Sequence, residues 1–434
     1  MAGIFGVSSN EDCVKDLFLG TFYLQHRAQD YCGLACSDGK TFSAYDTHRG
    51  LMRQQFPKKV LKDLKGNFGI GCVTGDRQPV SVLGKAGAFI VAYDGNIINH
   101  DELRDALLMK GIGFTGFIGE GEVHDSAVIA KIISSESTFE RGIESLAKIM
   151  KGDFALVALT KTGVYAARGW GRKHLILGKK NGSYAVSSES NSFPNTGFEI
   201  MRDIEPGEIV LINEEGVNHV GRLDLNPKKY CSFEWIYTAH PASVIEGKSV
   251  AEVRINLGKA LARRYPVAAD LVSPVPNSGR WHALGFSMAS GIPHIEVFVR
   301  YDYSDRSYTP GQQPDRDVEA RTKLIPIKEV IKGKIIVLVD DSIVRGTQML
   351  TRVRVLKEMG AKEVHARIAC PPLVAACHFG KTTRCNDECI ARRMPIKEIQ
   401  ESMGLDSLGY ATVEDLEEAT GLPREKLCLD CWEP

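Results

Sequence analysis

The spacing of apolar and polar positions divides this chain into two unlike halves. In the first half the apolar runs are short and punctuated. Residues 66–73 (GNFGIGCV) and 87–97 (GAFIVAYDGNI) are partly β-branched runs interrupted by Gly and Asp-Gly, which predicts strands and tight turns. Residues 152–159 (GDFALVAL) and 163–170 (GVYAARGW) read as a pair of strands. Between them, residues 100–111 (HDELRDALLMKG) place Leu103, Leu107 and Leu108 on one helical face, with Gly111 as the stop. Taken alone, Asp94-Gly95 reads as a hairpin turn. This half is expected to be α+β and rich in antiparallel sheet.

From about Cys231 the rhythm changes. Residues 248–266, 279–291 and 349–360 have helical spacing, and Gly360 caps the last of these helices. They alternate with apolar runs at 269–276 (ADLVSPVP), 334–340 (KIIVLVD) and 363–370 (EVHARIAC). A continuous apolar run is what a central parallel strand requires. The alternation predicts βαβ units and a doubly wound α/β domain. The expected boundary lies near residue 228, giving domains 1–228 and 229–434.

Composition narrows the class. The chain has 434 residues, 43% hydrophobic and 25% charged, with formal net charge +0. That suits a soluble protein of two or three domains and gives no electrostatic reason for a nucleic-acid partner. No signal-peptide pattern and no membrane-length apolar run is present, so the expected compartment is the cytoplasm. In that compartment its 11 cysteines should be reduced, catalytic or metal-bound rather than disulfide-paired.

The strongest chemical signal is IIVLVDDSIVRGTQ at 335–348. A hydrophobic strand ends in two carboxylates, Asp340 and Asp341, and a short loop leads into a helix. Amides at a helix N-terminus cradle phosphate. The paired carboxylates can hold ribose hydroxyls and, through water, Mg²⁺. The stretch resembles the fingerprint of type I phosphoribosyltransferases, which use 5-phosphoribosyl 1-pyrophosphate (PRPP). The resemblance implies that Asp340 and Asp341 contact ribose and metal. It assigns the 5-phosphate to the loop of Ser342, Ile343, Val344, Arg345, Gly346 and Thr347. PVPNSG at 274–279 resembles the pyrophosphate and metal loop, with Ser278 near Mg²⁺ and Asn277 where Asp is usual.

With LKGNFGIG, YDGNIINHDELRDAL, HRAQDYCGLACSDG, CSFEWIYTAHPAS, PGQQ and CLDC, nearly the whole chain resembles the glutamine amidophosphoribosyltransferase family, which opens purine synthesis. The fold this implies is an N-terminal nucleophile-hydrolase-like domain (class II glutamine amidotransferase, four-layer αββα). An α/β type I phosphoribosyltransferase domain follows it. In the family an N-terminal Cys attacks glutamine, and the ammonia released displaces pyrophosphate from PRPP.

Three positions of the glutamine pocket depart from that pattern. Ala2 stands where the family has its nucleophile, and an alanine methyl cannot attack an amide. Thr74 replaces the Arg that holds the glutamine carboxylate. Asp94 replaces the Asn of the oxyanion pair Asn-Gly, and a carboxylate repels a developing oxyanion. Gly95, Arg27 and Asp125 match. A deliberate Cys-to-Ala replacement would change one position, whereas natural loss accounts for all three. Cys32 and Cys72 lack an N-terminal amine and read as buried structural thiols.

By the same resemblance, Cys231, Cys377, Cys428 and Cys431 occupy places that hold a [4Fe–4S] cluster in one branch of the family. Four thiolates suit zinc as well, and a buried thiol pair is the plain alternative. Cys385 and Cys389 of CNDEC read as exposed helix residues. The lid before PGQQ carries Arg300 and Arg306 but also Asp302 and Asp305, where the family is basic.

The expected activity is displacement of pyrophosphate from PRPP by ammonia or another amine, with an impaired glutaminase half. Nucleotides are possible inhibitors, and a homo-oligomer is expected. A PRPP- or nucleotide-binding pseudoenzyme is the alternative of another class.

Overall fold

Strand Gly3–Ser8 is buried along its whole length and pairs antiparallel on both sides, with Phe68–Thr74 and Ser183–Ser187. Its successive side chains enter different cores, as pleating requires. Ile4 packs with Ile70, Ala92, Val157 and Val164, whereas Phe5 and Val7 pack with Val14 and Leu17 of helix Val14–Phe22. These contacts come from a computed structural model that describes residues 1–114, 123–301, 324–380, 383 and 385–434, with the side chains of 44–46 outside the description.

The chain divides into two units. The first comprises Met1–Cys231, Ala242–Gly247 and His378–Thr382; the second comprises Ser232–Pro241, Lys248–Cys377 and Thr383–Pro434. The first holds a seven-stranded and a six-stranded sheet. One core lies between the sheets. A second lies under helix Val14–Phe22. A third lies under helices His100–Met109, Asp125–Ser134 and Phe139–Ile149. The layering is αββα.

Two local expectations fail in this unit. Asp94 and Gly95 form no hairpin turn: both lie inside the continuous strand Gly87–Ile97, opposite Ala155 and Phe154 of strand Gly152–Thr160. Cross-strand pairing overrides the turn preference of Asp-Gly. Leu108 does not share the buried face of its helix. Leu103 and Leu107 are buried, while Leu108 is 49% exposed.

The second unit is built on four parallel strands, Leu271–Pro274, Ile335–Asp340, Glu363–Ile368 and Ser407–Tyr410. On the free edge of Leu271–Pro274 the segment 293–295 adds a parallel bridge, with the Val272 N–H donating to the Pro293 carbonyl at 2.8 Å and the Ile295 N–H to the Val272 carbonyl at 2.9 Å. The chain thus first steps outward and then returns to the other side of its first strand, the reversal expected of a doubly wound sheet. Helices Val250–Arg264, Arg280–Ser290 and Thr347–Glu358 accompany them. Because Leu271–Pro274 and Ile335–Asp340 are neighbours, the loops leaving their carboxyl ends lie side by side. The Val275 N–H donates to the Val339 carbonyl at 2.8 Å. Gly279 makes this approach possible, since a Cβ there would stand 2.3 Å from the same carbonyl oxygen.

Candidate functional site

In the first unit, Ala2, Arg27 and Asp94 meet directly. The Ala2 N–H donates to Asp94 Oδ1 at 2.8 Å, and Arg27 Nε donates to the Ala2 carbonyl at 2.8 Å. Arg27 Nη2 donates to Asp94 Oδ2 at 3.1 Å, and Lys173 Nζ lies 3.5 Å from Asp94 Oδ1. Arg27 Nη1 also donates to Glu189 Oε1 at 2.6 Å. Glu189 further binds His26 Nε2 at 2.8 Å and accepts from Ser243 Oγ at 2.8 Å. Burial alone would raise both carboxyls. Lys173 and then Arg27 outweigh it at Asp94, and His26 and then Arg27 outweigh it at Glu189, so both are held below the usual carboxylate range. The place where a nucleophile would stand is thus a buried, charge-balanced network.

A second buried chain starts at Thr74. Its hydroxyl donates to the Asp76 carbonyl at 2.5 Å, and Gln78 Nε2 donates to Asp76 Oδ1 at 2.8 Å. Gln78 Oε1 accepts from the Tyr93 N–H at 2.7 Å, and the Tyr93 hydroxyl donates to Asp125 Oδ2. Gly95 sits flush against strand Gly152–Thr160, where a Cβ would stand 2.2 Å from the Asp153 carbonyl oxygen. Cys32 and Cys72 are fully buried. Burial pushes the Cys32 thiol up to about 12 and raises Cys72 well above the ordinary thiol value. Both are poor nucleophiles.

In the second unit, Asp340 and Asp341 are buried at the end of their strand. Asp340 Oδ1 accepts from the Asp341 N–H at 2.9 Å and from Ser278 Oγ at 3.4 Å. Asp340 Oδ2 accepts from Arg352 Nη1 at 3.2 Å. The Ser342 hydroxyl donates to Asp341 Oδ1. Burial, and then the neighbouring Asp341, raises the Asp340 carboxyl well above its usual range, with Arg352 opposing. Gly346, at φ +85, turns the chain into helix Thr347–Glu358, a conformation that favours glycine. Outside the loop, the Ile390 N–H donates to the Val344 carbonyl at 2.8 Å, and Arg345 pairs with Glu388 at 2.7 Å. The result is a strand end with two carboxylates, an open helix N-terminus, and a second loop in which Asn277 is exposed and Ser278 half-buried.

Comparison with known proteins decides the family. An amidophosphoribosyltransferase of Methanocaldococcus jannaschii is 38% identical over 460 aligned residues, covering 99% of this chain and 96% of that one. One from Methanothermobacter thermautotrophicus is 35% identical, covering 99% and 92%. The chain belongs to the amidophosphoribosyltransferase family.

Amidophosphoribosyltransferases are PRPP-dependent enzymes of purine biosynthesis, and the rest of the comparison agrees with that membership. A glutamine amidotransferase domain family matches residues 69–195. The glutamine PRPP amidotransferase of B. subtilis, solved with ADP and GMP, superimposes with TM-score 0.91 at 32% identity, covering 99% of this chain and 96% of that one. The expected pairing of a class II glutamine amidotransferase domain with a type I phosphoribosyltransferase domain is the fold of this amidophosphoribosyltransferase.

The amidophosphoribosyltransferase cysteines sit in two settings. The Ser232 hydroxyl donates to the Cys428 carbonyl at 3.0 Å, and Cys231 immediately precedes Ser232. The Val374 and Ala375 N–H groups donate to the Cys431 carbonyl at 3.0 and 3.2 Å, two residues before Cys377. Cys231, Cys377, Cys428 and Cys431 are all half-buried. Among the described residues, no three or more His, Cys, Asp or Glu side chains form a group that could hold a metal ion. Cys385 is exposed as expected, but Cys389 is fully buried. These two flank the single turn Asn386–Glu388 and are not helix residues. In the lid, Arg300 ends strand Phe298–Arg300, whereas Asp302, Asp305 and Arg306 lie outside the described residues. Among the described residues, no helix is long and apolar enough to cross a membrane.

Sequence reasoning missed Lys173, Glu189, His26, Ser243 and Arg352. His26 opens HRAQDYCGLACSDG and Ser243 closes CSFEWIYTAHPAS, so both lay in quoted motifs without being given a role, whereas Lys173, Glu189 and Arg352 belong to none.

Proposed function

We propose that this amidophosphoribosyltransferase joins ammonia, or another small amine, to C1 of PRPP and does not hydrolyse glutamine. The observation that carries the reading is the Asp94 carboxylate, which takes the Ala2 N–H at 2.8 Å where the family places nucleophile and oxyanion donor together. A carboxylate there favours cations, and the glutaminase reaction requires a site that stabilises an anion. Thr74 removes the cation for the substrate carboxylate. Residues 1–228 are then a glutaminase-defective amidotransferase domain, and residues 229–434 are the transferase.

In the transferase, Ser342 to Thr347 and the first amides of the following helix take the 5-phosphate. Asp340 and Asp341 accept hydrogen bonds from ribose hydroxyls and orient C1. Asn277 and Ser278 serve the pyrophosphate end. The hard oxygens of Asp340, Asp341 and Ser278 suit Mg²⁺, which when bound neutralises the leaving pyrophosphate. Ammonia forms the C–N bond as the C–O bond to pyrophosphate breaks, giving phosphoribosylamine after loss of a proton.

We assign Cys231, Cys377, Cys428 and Cys431 to a structural [4Fe–4S] cluster, with zinc as the competing occupant. The assignment rests on the resemblance of these four positions, and it requires the thiols to draw together, since among the described residues no three of these side chains form a group that could hold a metal ion. A cytoplasmic homo-oligomer inhibited by nucleotides completes the reading, the second point supported by the similar B. subtilis protein solved with ADP and GMP.

Asn277 favours a second reading, a PRPP- or nucleotide-binding pseudoenzyme, because it removes a charge from the metal loop. Pyrophosphate release from PRPP decides, measured with ammonia, with glutamine and with neither. Release with ammonia alone supports the proposal. Equal release with glutamine overturns the glutaminase assignment. PRPP binding without release under any condition favours the pseudoenzyme.

A further inference from the structure

Arg352 lies in the second turn of helix Thr347–Glu358, and its guanidinium reaches back to the strand end before the phosphate loop. Nη1 donates to Asp340 Oδ2 at 3.2 Å, and Nη2 donates to Gln348 Oε1 at 2.9 Å, which braces the group. The guanidinium side chain is 18% exposed and the Asp340 side chain 7%, so the pair is poorly screened by water. The other Asp340 oxygen already accepts from the Asp341 N–H and Ser278 Oγ. Asp341 is buried beside it. Two adjacent buried carboxylates oppose the approach of a ligand carrying several phosphate charges. A divalent cation is one remedy. This chain has another within its own helix.

We propose that Arg352 is a built-in counter-cation for the Asp340–Asp341 pair, so that the site binds PRPP with reduced dependence on Mg²⁺. The proposal rests on the transferase reading above. Arg352 is a positioning residue that acts through Asp340, and Gln348 holds it in place. Asn277 fits the same balance: with a cation fixed in the site, a further carboxylate on the metal loop is not needed to attract one.

Loss of the guanidinium has two effects of opposite sign, which a merely structural role does not produce. The acidic pair repels metal-free PRPP more strongly, and it attracts Mg²⁺ more strongly. The test compares the natural chain with Arg352→Gln, Arg352→Lys and Gln348→Ala. PRPP affinity is measured by calorimetry in EDTA and in saturating Mg²⁺. The tightening that Mg²⁺ brings should be about tenfold larger in Arg352→Gln, and within about twofold of natural in Arg352→Lys, which keeps the charge. Gln348→Ala should move in the same direction by less, and carries the test if Arg352→Gln folds poorly. Mg²⁺ alone should raise the melting temperature of ligand-free Arg352→Gln more than that of the natural chain. Equal tightening and equal Mg²⁺ melting shifts across the variants overturn the inference. If no variant binds PRPP in either condition, the transferase reading falls, and the Mg²⁺ melting comparison still decides the role of Arg352.

Discussion

Ala2 and Asp94, 92 residues apart in the chain, are joined by a 2.8 Å hydrogen bond from the Ala2 N–H to Asp94 Oδ1. Burial lowers the chain's N-terminal amine, with Asp94 opposing. The same carboxylate also binds Arg27 and Lys173, so the position serves charge balance in the core.

Ala2→Cys should therefore not create a glutaminase. Glutamate release from glutamine is expected to stay at background, because Thr74 and Asp94 still lack the groups that bind the substrate and stabilise the oxyanion. Robust glutamate release by this single variant would show that only the nucleophile was missing.

The Asp203 carboxyl gives the stability a pH dependence. Burial, and then Glu246, pushes it up to about 6, and its Oδ1 accepts the Glu246 N–H at 3.1 Å. Between the unfolded value near 4 and about 6, the folded chain holds a proton that the unfolded chain has lost. Stability from this group is thus full below about pH 4 and declines as pH rises through 6, by at most about 3 kcal/mol. Asp203→Asn, which keeps the acceptor oxygen, should flatten that part of the curve in urea denaturation. An unchanged slope would rule the group out as its source.

Protein purified without air should be brown, with iron and sulfide near four of each per chain if the cluster is complete. Stoichiometric zinc without iron would assign the thiols to zinc instead. Cys428→Ala and Cys431→Ala should lower the melting temperature more than Cys385→Ala, whose side chain is exposed.

PRPP with Mg²⁺ should raise the melting temperature, since a ligand that binds only the folded state adds about 2.7 kcal/mol at a hundred times its Kd. Asp341→Asn should remove most of that shift through loss of a ribose and metal ligand. Asp203→Asn, in the other unit, should retain it. A full shift in Asp341→Asn would place the ribose elsewhere.

Some of this molecule was legible because its signals are contiguous. The run from Ile335 to Thr347 carries strand, acidic pair, loop and helix start in one stretch, so its pattern is readable by itself, although the strand forms only by pairing with Leu271–Pro274 and Glu363–Ile368. The apolar rhythm likewise separated an antiparallel half from a half of alternating helices and strands. The same alternation pointed to a doubly wound sheet, whose reversal appears where segment 293–295 bridges the free edge of Leu271–Pro274; that segment carries too short an apolar run to read as a strand.

Tertiary structure alone decided the rest, for one physical reason: the partners are distant in sequence, and burial makes their pairing strong. Asp94-Gly95 has turn chemistry, yet hydrogen bonding to strand Gly152–Thr160 holds it extended and aims the carboxylate at Ala2. Lys173 and Glu189 look like ordinary charges in the sequence and become part of one buried network only when strands from both ends of the first unit close around Arg27. Leu108 has the spacing of a core residue, but the setting of its helix against the sheet leaves it in water. Sequence by itself determined that an acidic pair, Asp340 and Asp341, closes an apolar run and that alanine stands at position 2. Only the packed chain decided what fills that place, because a charge inside a protein is defined by the groups that surround it.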